Sequence, residues 1–106
     1  MLHFDVVIIG SGLAGMSVAL HLAEQRKVCL VTKGALLEGG SGWAQGGIAA
    51  VLGQDDSLEE HIQDTLVAGA GLCHEPVVRH VVEQAKTSID WLIQLGVPFT
   101  RDAANE

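Results

Sequence analysis

The chain of 106 residues carries 6 Lys/Arg against 13 Asp/Glu, a formal net charge of -7, and an isoelectric point near 5.0. That balance, with no basic cluster anywhere, excludes a nucleic-acid-binding module, which needs a basic face. Hydrophobic residues make up 48% of the sequence and aromatics only 4%, so a core must be packed from Val, Ile, Leu and Ala.

Residues 4–9, Phe-Asp-Val-Val-Ile-Ile, form a short apolar run rich in β-branched residues, the pattern of a buried parallel strand. Gly10, Ser11, Gly12, Leu13, Ala14 and Gly15 follow at once and fit G-x-G-x-x-G. Residues 16–23 continue in good helix formers. In this context Gly10 turns the chain off the strand, Gly12 lets a pyrophosphate approach the backbone, and Gly15 lets the helix sit close to the sheet. Free amides and the helix dipole then face the anion. A strand, glycine turn and helix in this order make dinucleotide binding the expected function of the segment.

Residues 27–32, Lys-Val-Cys-Leu-Val-Thr, read as a second buried strand that completes a βαβ unit. Many dinucleotide folds place an acid for the ribose hydroxyls at its end, but here the chain reads Thr32-Lys33-Gly34 and the first carboxylate is Glu38. A lysine cannot accept from a ribose diol. Two readings stay open: an NADP 2′-phosphate on Lys33, or a flavin fold that holds its ribose differently.

Residues 34–47 contain six glycines, a density suited to backbone lying against a flat or phosphorylated ligand. Trp43 could stack on a ligand or anchor packing, and Gln45 could bond a polar ring edge. Residues 48–52 are a short apolar run, strand or buried turn. Ser57-Leu58-Glu59-Glu60 has the form of a capping box, opening a helix with Leu58, Ile62, Thr65 and Leu66 on one face. His61 and Asp64 are one turn apart on it, which suits an exposed polar face rather than a metal site. Pro76 fits the first turn of a further helix. Its apolar stripe runs through Val77, Val78, Val81, Val82, Ala85, Ile89, Leu92 and Ile93, and Gly96 suits its C-terminal stop.

Cys29 and Cys73 lack C-x-x-C spacing and read as reduced thiols in a cytosolic protein. No apolar run approaches the ~20 residues that span a bilayer, and the first residues have no basic leader pattern. The fold class expected is α/β: a Rossmann-like βαβ unit with following helices. Two strands do not make a covered sheet, so residues 1–106 are expected to be the N-terminal part of a larger enzyme.

Four blocks carry a resemblance: VVIIGSGLAGMSVAL at 6–20, VTKG at 31–34, EGGSGWAQGGIAAV at 38–51 and DSLEEHIQDTLVAGAGLC at 56–73, with WLIQLGV at 91–97 extending it. The chain resembles the fumarate reductase/succinate dehydrogenase flavoprotein family, and within it the L-aspartate oxidase branch. The resemblance implies that residues 1–106 are the N-terminal, incomplete part of an FAD-binding domain whose remainder and substrate-capping domain are absent from the chain. It implies FAD as cofactor, with Ser11 to Ala14 along the pyrophosphate and Lys33 at the adenosine ribose. It places Gly40, Ser41, Gly42, Trp43, Ala44, Gln45, Gly46 and Gly47 around the flavin side. It also implies oxidation of L-aspartate to iminosuccinate with O2 or fumarate as acceptor, an entry to NAD biosynthesis, with a hand-off to quinolinate synthase as a conceivable partnership. Family members that hold flavin covalently have a His at the position of Gly40, so FAD here is expected to be non-covalent. The family's catalytic residues lie downstream: none is placed on this chain, no metal ligand is expected, and Arg101 matches no catalytic position. The expected setting is cytoplasmic, with no nucleic acid or membrane partner. A fumarate reductase or succinate dehydrogenase segment and a non-catalytic nucleotide-binding fragment are the alternatives.

Overall fold

A computed structural model describes residues 1–44, 46–53 and 56–100. The chain divides into two compact units, Met1–Gly47 and Ile48–Glu106.

The first unit is the βαβ element expected from the apolar runs: β1 (Val6–Ile9), α1 (Leu13–Ala23) and β2 (Val28–Val31), followed by a single helical turn, α2 (Gly40–Trp43). The strands pair in parallel, with Val6 opposite Val28 and Ile9 opposite Val31. A slip of one residue would turn every side chain to the other face, and the register is pinned at both ends. At the entry, the Asp5 carboxylate accepts from the Lys27 amide at 2.7 Å and the Asp5 amide donates to the Lys27 carbonyl at 2.9 Å. Lys27 Nζ also lies 5.4 Å from the centre of the Phe4 ring. At the exit, the Gly10 amide donates to the Val31 carbonyl at 2.8 Å. Helix α1 packs on this sheet. Val6 and Ile8 are half-buried, whereas Val7 and Ile9, on the opposite face of the strand, are exposed.

The second unit is a helical hairpin of α3 (Leu58–Ala68) and α4 (Glu75–Gln94). Ser57 caps α3, its hydroxyl accepting from the Glu60 amide at 3.3 Å. The reciprocal half of the expected capping box is different. The Ser57 amide donates to Asp56 at 2.8 Å, so an aspartate one residue back replaces Glu60 as acceptor. Ala70 and Gly71 both take positive φ, +49° and +85°, to reverse the chain between the helices.

Among the described residues, Ile62, Val82 and Ile89 are the buried apolar ones. The expected stripe on α4 is broader than α3 can cover: Val78, Ala85 and Leu92 are half-buried, while Val77 and Val81 stay exposed. Residues 48–52 form neither a strand nor a buried turn. Ile48 and Leu52 are more than half exposed and only Ala50 and Val51 tuck in. Arg79 of α4 bridges both acids within reach, donating to Glu59 of α3 at 2.8 and 3.1 Å and lying 3.5 Å from Glu75. The Arg79 guanidinium hydrogen bond holds the Glu59 carboxyl below its ordinary range, and the same pairing raises Arg79.

Two outcomes follow for this hairpin. Ile62→Ala should destabilise it by about 2–5 kcal/mol in chemical denaturation, while Leu58→Ala, at a partly exposed site, should cost much less. Because the folded Glu59 carboxyl is depressed, its contribution is present above the ordinary carboxylate range and lost as pH falls through the folded value. An NMR pH titration should find Glu59 titrating low, and Arg79→Gln should return it to the ordinary glutamate range.

Candidate functional site

The expected phosphate turn sits where β1 meets α1. Gly10 has φ of +110°, a conformation that L side chains avoid. Gly15 solves a different problem: a Cβ built there would run into the Gly10 carbonyl oxygen and also press on Ile8. The first turn of α1 can therefore close over the end of β1 only if residue 15 has no side chain. Gly12 is the N-cap of α1, extended at φ -74°, and offers no side-chain cap to the helix amides. The first turn of α1 contains no acid. The helix thus presents amides and the positive end of its dipole without a carboxylate of its own competing for them.

Beside this turn lies a cleft of about 230 Å³ within the first unit. Ser11, Leu13 and Met16 line it from the turn and α1, and Leu36, Leu37, Gly39, Ser41 and Gly42 line it from the segment after β2. That segment folds back through short bonds. Glu38 donates to Ala35 at 2.9 Å, Gly39 to Leu37 at 3.1 Å and Gly42 to Gly39 at 2.9 Å. The Glu38 carboxylate turns back to accept from the Ala35 amide at 3.0 Å. A Cβ on Gly42 would press on the Leu37 carbonyl at 2.8 Å, so glycine lets α2 lie against that strand of chain. A Cβ on Gly12 would meet only the Ser41 hydroxyl, 3.9 Å away, so the space over Gly12 faces the cleft wall and is open.

Of the residues expected at the site, Ser11, Leu13, Ser41 and Gly42 meet around the cleft. Gly10, Gly12, Ala14 and Gly15 build the turn behind it. Lys33 is exposed just past β2. Gly40 opens α2 and Ala44 ends it, while Gly46 and Gly47 lie exposed beyond it without regular structure. Trp43 is 84% exposed and anchors no packing. Gln45 lies outside the described residues, as does Arg101. The sequence reading missed Met16, Leu36, Leu37 and Gly39. The signal was an adjacent leucine pair inside a glycine-rich stretch with no predicted strand or helix to bury it. Among the described residues no group of three or more His, Cys, Asp or Glu is placed to hold a metal, and no helix is long and apolar enough to cross a membrane.

The pattern of the family described as "FAD binding domain" matches residues 5–106. The chain belongs to this FAD-binding-domain family. L-aspartate oxidase 1 of Ralstonia nicotianae is 59% identical over 105 residues, which is 99% of this chain and 20% of that protein. L-aspartate oxidase of Pseudomonas aeruginosa is 55% identical over 98 residues, 92% of this chain and 18% of that protein. Among solved structures, a mutant of E. coli quinol fumarate reductase FrdA aligns with a TM-score of 0.88 at 31% identity, covering 99% of this chain and 18% of that one. The chain therefore spans about a fifth of the length of the curated relatives it matches.

FAD is the cofactor of the family, and the residues present in this FAD-binding domain fit part of it. The open space over Gly12, the uncapped amides of α1 and the Ser11 and Ser41 hydroxyls suit a pyrophosphate. Leu13, Met16, Leu36 and Leu37 supply apolar walls for what adjoins it.

Two glycine variants separate architecture from binding. Gly12→Ala should leave thermal stability within about 1 kcal/mol but weaken FAD binding, because its methyl enters the cleft. Gly15→Ala should destabilise the fold by about 1–3 kcal/mol through overpacking against Gly10 and weaken FAD binding with it.

Proposed function

We propose that this chain is the N-terminal, FAD-binding part of an L-aspartate oxidase, a flavoenzyme that oxidises L-aspartate to iminosuccinate with O2 or fumarate as acceptor. The observation that carries the reading is the cleft at the uncapped start of α1, roofed by the glycine-rich segment after β2. Similarity to enzymes named L-aspartate oxidase across 92–99% of the chain supports it. The redox chemistry is supplied by FAD when bound; this chain's residues bind and orient.

In this assignment Gly10 and Gly15 shape the turn, and Ser11, Gly12, Leu13 and Ala14 meet the pyrophosphate. Lys33 takes the adenosine ribose, and Gly40, Ser41, Gly42, Trp43, Ala44, Gln45, Gly46 and Gly47 lie along the flavin side. Gly40 offers no imidazole for a covalent link, so FAD is held non-covalently. The substrate-binding and proton-handling groups, and the rest of the FAD-binding domain with a substrate-capping domain, lie in sequence beyond these residues. The exposed faces of Val7 and Ile9 support that division, since parallel strands are ordinarily covered on both sides. The protein works in the cytoplasm on small molecules in quinolinate and NAD biosynthesis, where its unstable imine product favours hand-off to quinolinate synthase.

The native protein purified from its source should generate hydrogen peroxide when given L-aspartate and should release its flavin on acid precipitation. Succinate–fumarate interconversion without aspartate oxidation would replace this reading with the fumarate reductase/succinate dehydrogenase one. Flavin that stays with the precipitated protein would overturn the non-covalent assignment.

A further inference from the structure

The turn between β1 and α1 is tied twice to the chain at the end of β2, at Val31 and at Thr32 just past it. The first tie is backbone: Gly10 donates to the Val31 carbonyl at 2.8 Å. One residue further along each segment, the Ser11 hydroxyl donates to the Thr32 hydroxyl at 3.2 Å, and both residues are half-buried. The second tie belongs to no strand ladder; it joins two side chains 21 residues apart. Ser11 also lines the cleft. A serine hydroxyl has one proton and two lone pairs, so while the proton points at Thr32 it cannot point into the cleft.

We propose that Thr32 is a positioning residue for cofactor binding, holding Ser11 Oγ at the cleft wall and turning to donate to it when the Ser11 O–H swings round to donate to a phosphate oxygen. The proposal rests on the FAD-binding reading and adds to it a residue outside the glycine turn. No covalent bond is made or broken, since only two hydroxyl rotors reverse. Before binding, Ser11 donates to Thr32; afterwards Thr32 donates to Ser11, and Ser11 donates to the anion. A hydroxyl that accepts one bond becomes a better donor in the next, and a bond to a charged acceptor is stronger than one between neutral groups. Threonine suits the position because its β-branch restricts χ1, which holds the hydroxyl toward the turn.

The test is FAD titration of the native protein after flavin removal, followed by quenching of flavin fluorescence. Thr32→Val keeps the shape and removes the hydroxyl, and should raise the FAD Kd about three- to tenfold. Thr32→Ser should stay within about twofold of the unaltered protein, because the relay survives. Ser11→Ala should also weaken binding, and Thr32→Val added to it should change Kd by less than about twofold, since the two groups act as one unit. If Thr32→Val gives no folded apoprotein, Thr32→Ala carries the same expectations. Unchanged affinity in Thr32→Val would overturn the proposal. So would an equal loss in the presence and absence of the Ser11 hydroxyl, which would mark Thr32 as structural support only. Failure of the unaltered apoprotein to take up FAD would overturn the cofactor reading itself, and this proposal with it.

Discussion

The close approach of α1 to the end of β1 is the constraint on which the first unit depends. It exists because residue 15 has no Cβ to strike the Gly10 carbonyl. That contact sets where the first turn of the helix begins, and so sets where its unsatisfied amides emerge. Gly10, at positive φ, aims the chain into that turn. The parallel register, held by Asp5 at one end and the Val31 carbonyl at the other, then fixes β2 beside it. In the proposed reading, phosphate recognition is a product of backbone geometry before it is a matter of side chains.

What was legible in the sequence was whatever is encoded locally. The β-branched run of β1, the glycine spacing, the apolar run of β2 and the period of α4 each carry their own signal, and each element appears where that signal puts it. The Ser57 cap was also legible, though its partner was not: Asp56 and Glu60 are both plausible acceptors for the Ser57 amide, and only geometry selects Asp56. Helix α2 left no readable trace. Four residues give no periodicity, and Gly-Ser-Gly-Trp is a poor helix former. It forms where Gly42 can lie on the Leu37 carbonyl, a tertiary circumstance. The apolar half of the cleft was hidden for a similar reason, because Leu36 and Leu37 belong to no regular element.

The two units manage apolar surface differently. In the hairpin, Ile62, Val82 and Ile89 are taken out of water by one helix packing on one other, and Arg79 clasps the pair from outside. In the βαβ unit α1 is apolar nearly all round, yet none of its residues is fully buried. A helix of that composition is suited to cover on more than one side, and the family relatives are about five times as long as this chain. The first unit therefore holds its turn geometry in a short, self-consistent span, while much of its apolar surface is left uncovered within that unit.

The pieces that form the cleft come from a short span of chain, from Ser11 to Gly42. The cost of closing such a loop rises only slowly with length, and contacts close in sequence form soonest. During synthesis the amino-terminal end emerges first. Every residue that lines the cleft is thus on hand early, before the hairpin of α3 and α4 follows. A nucleotide able to dock there would favour the ordered turn over the unfolded chain.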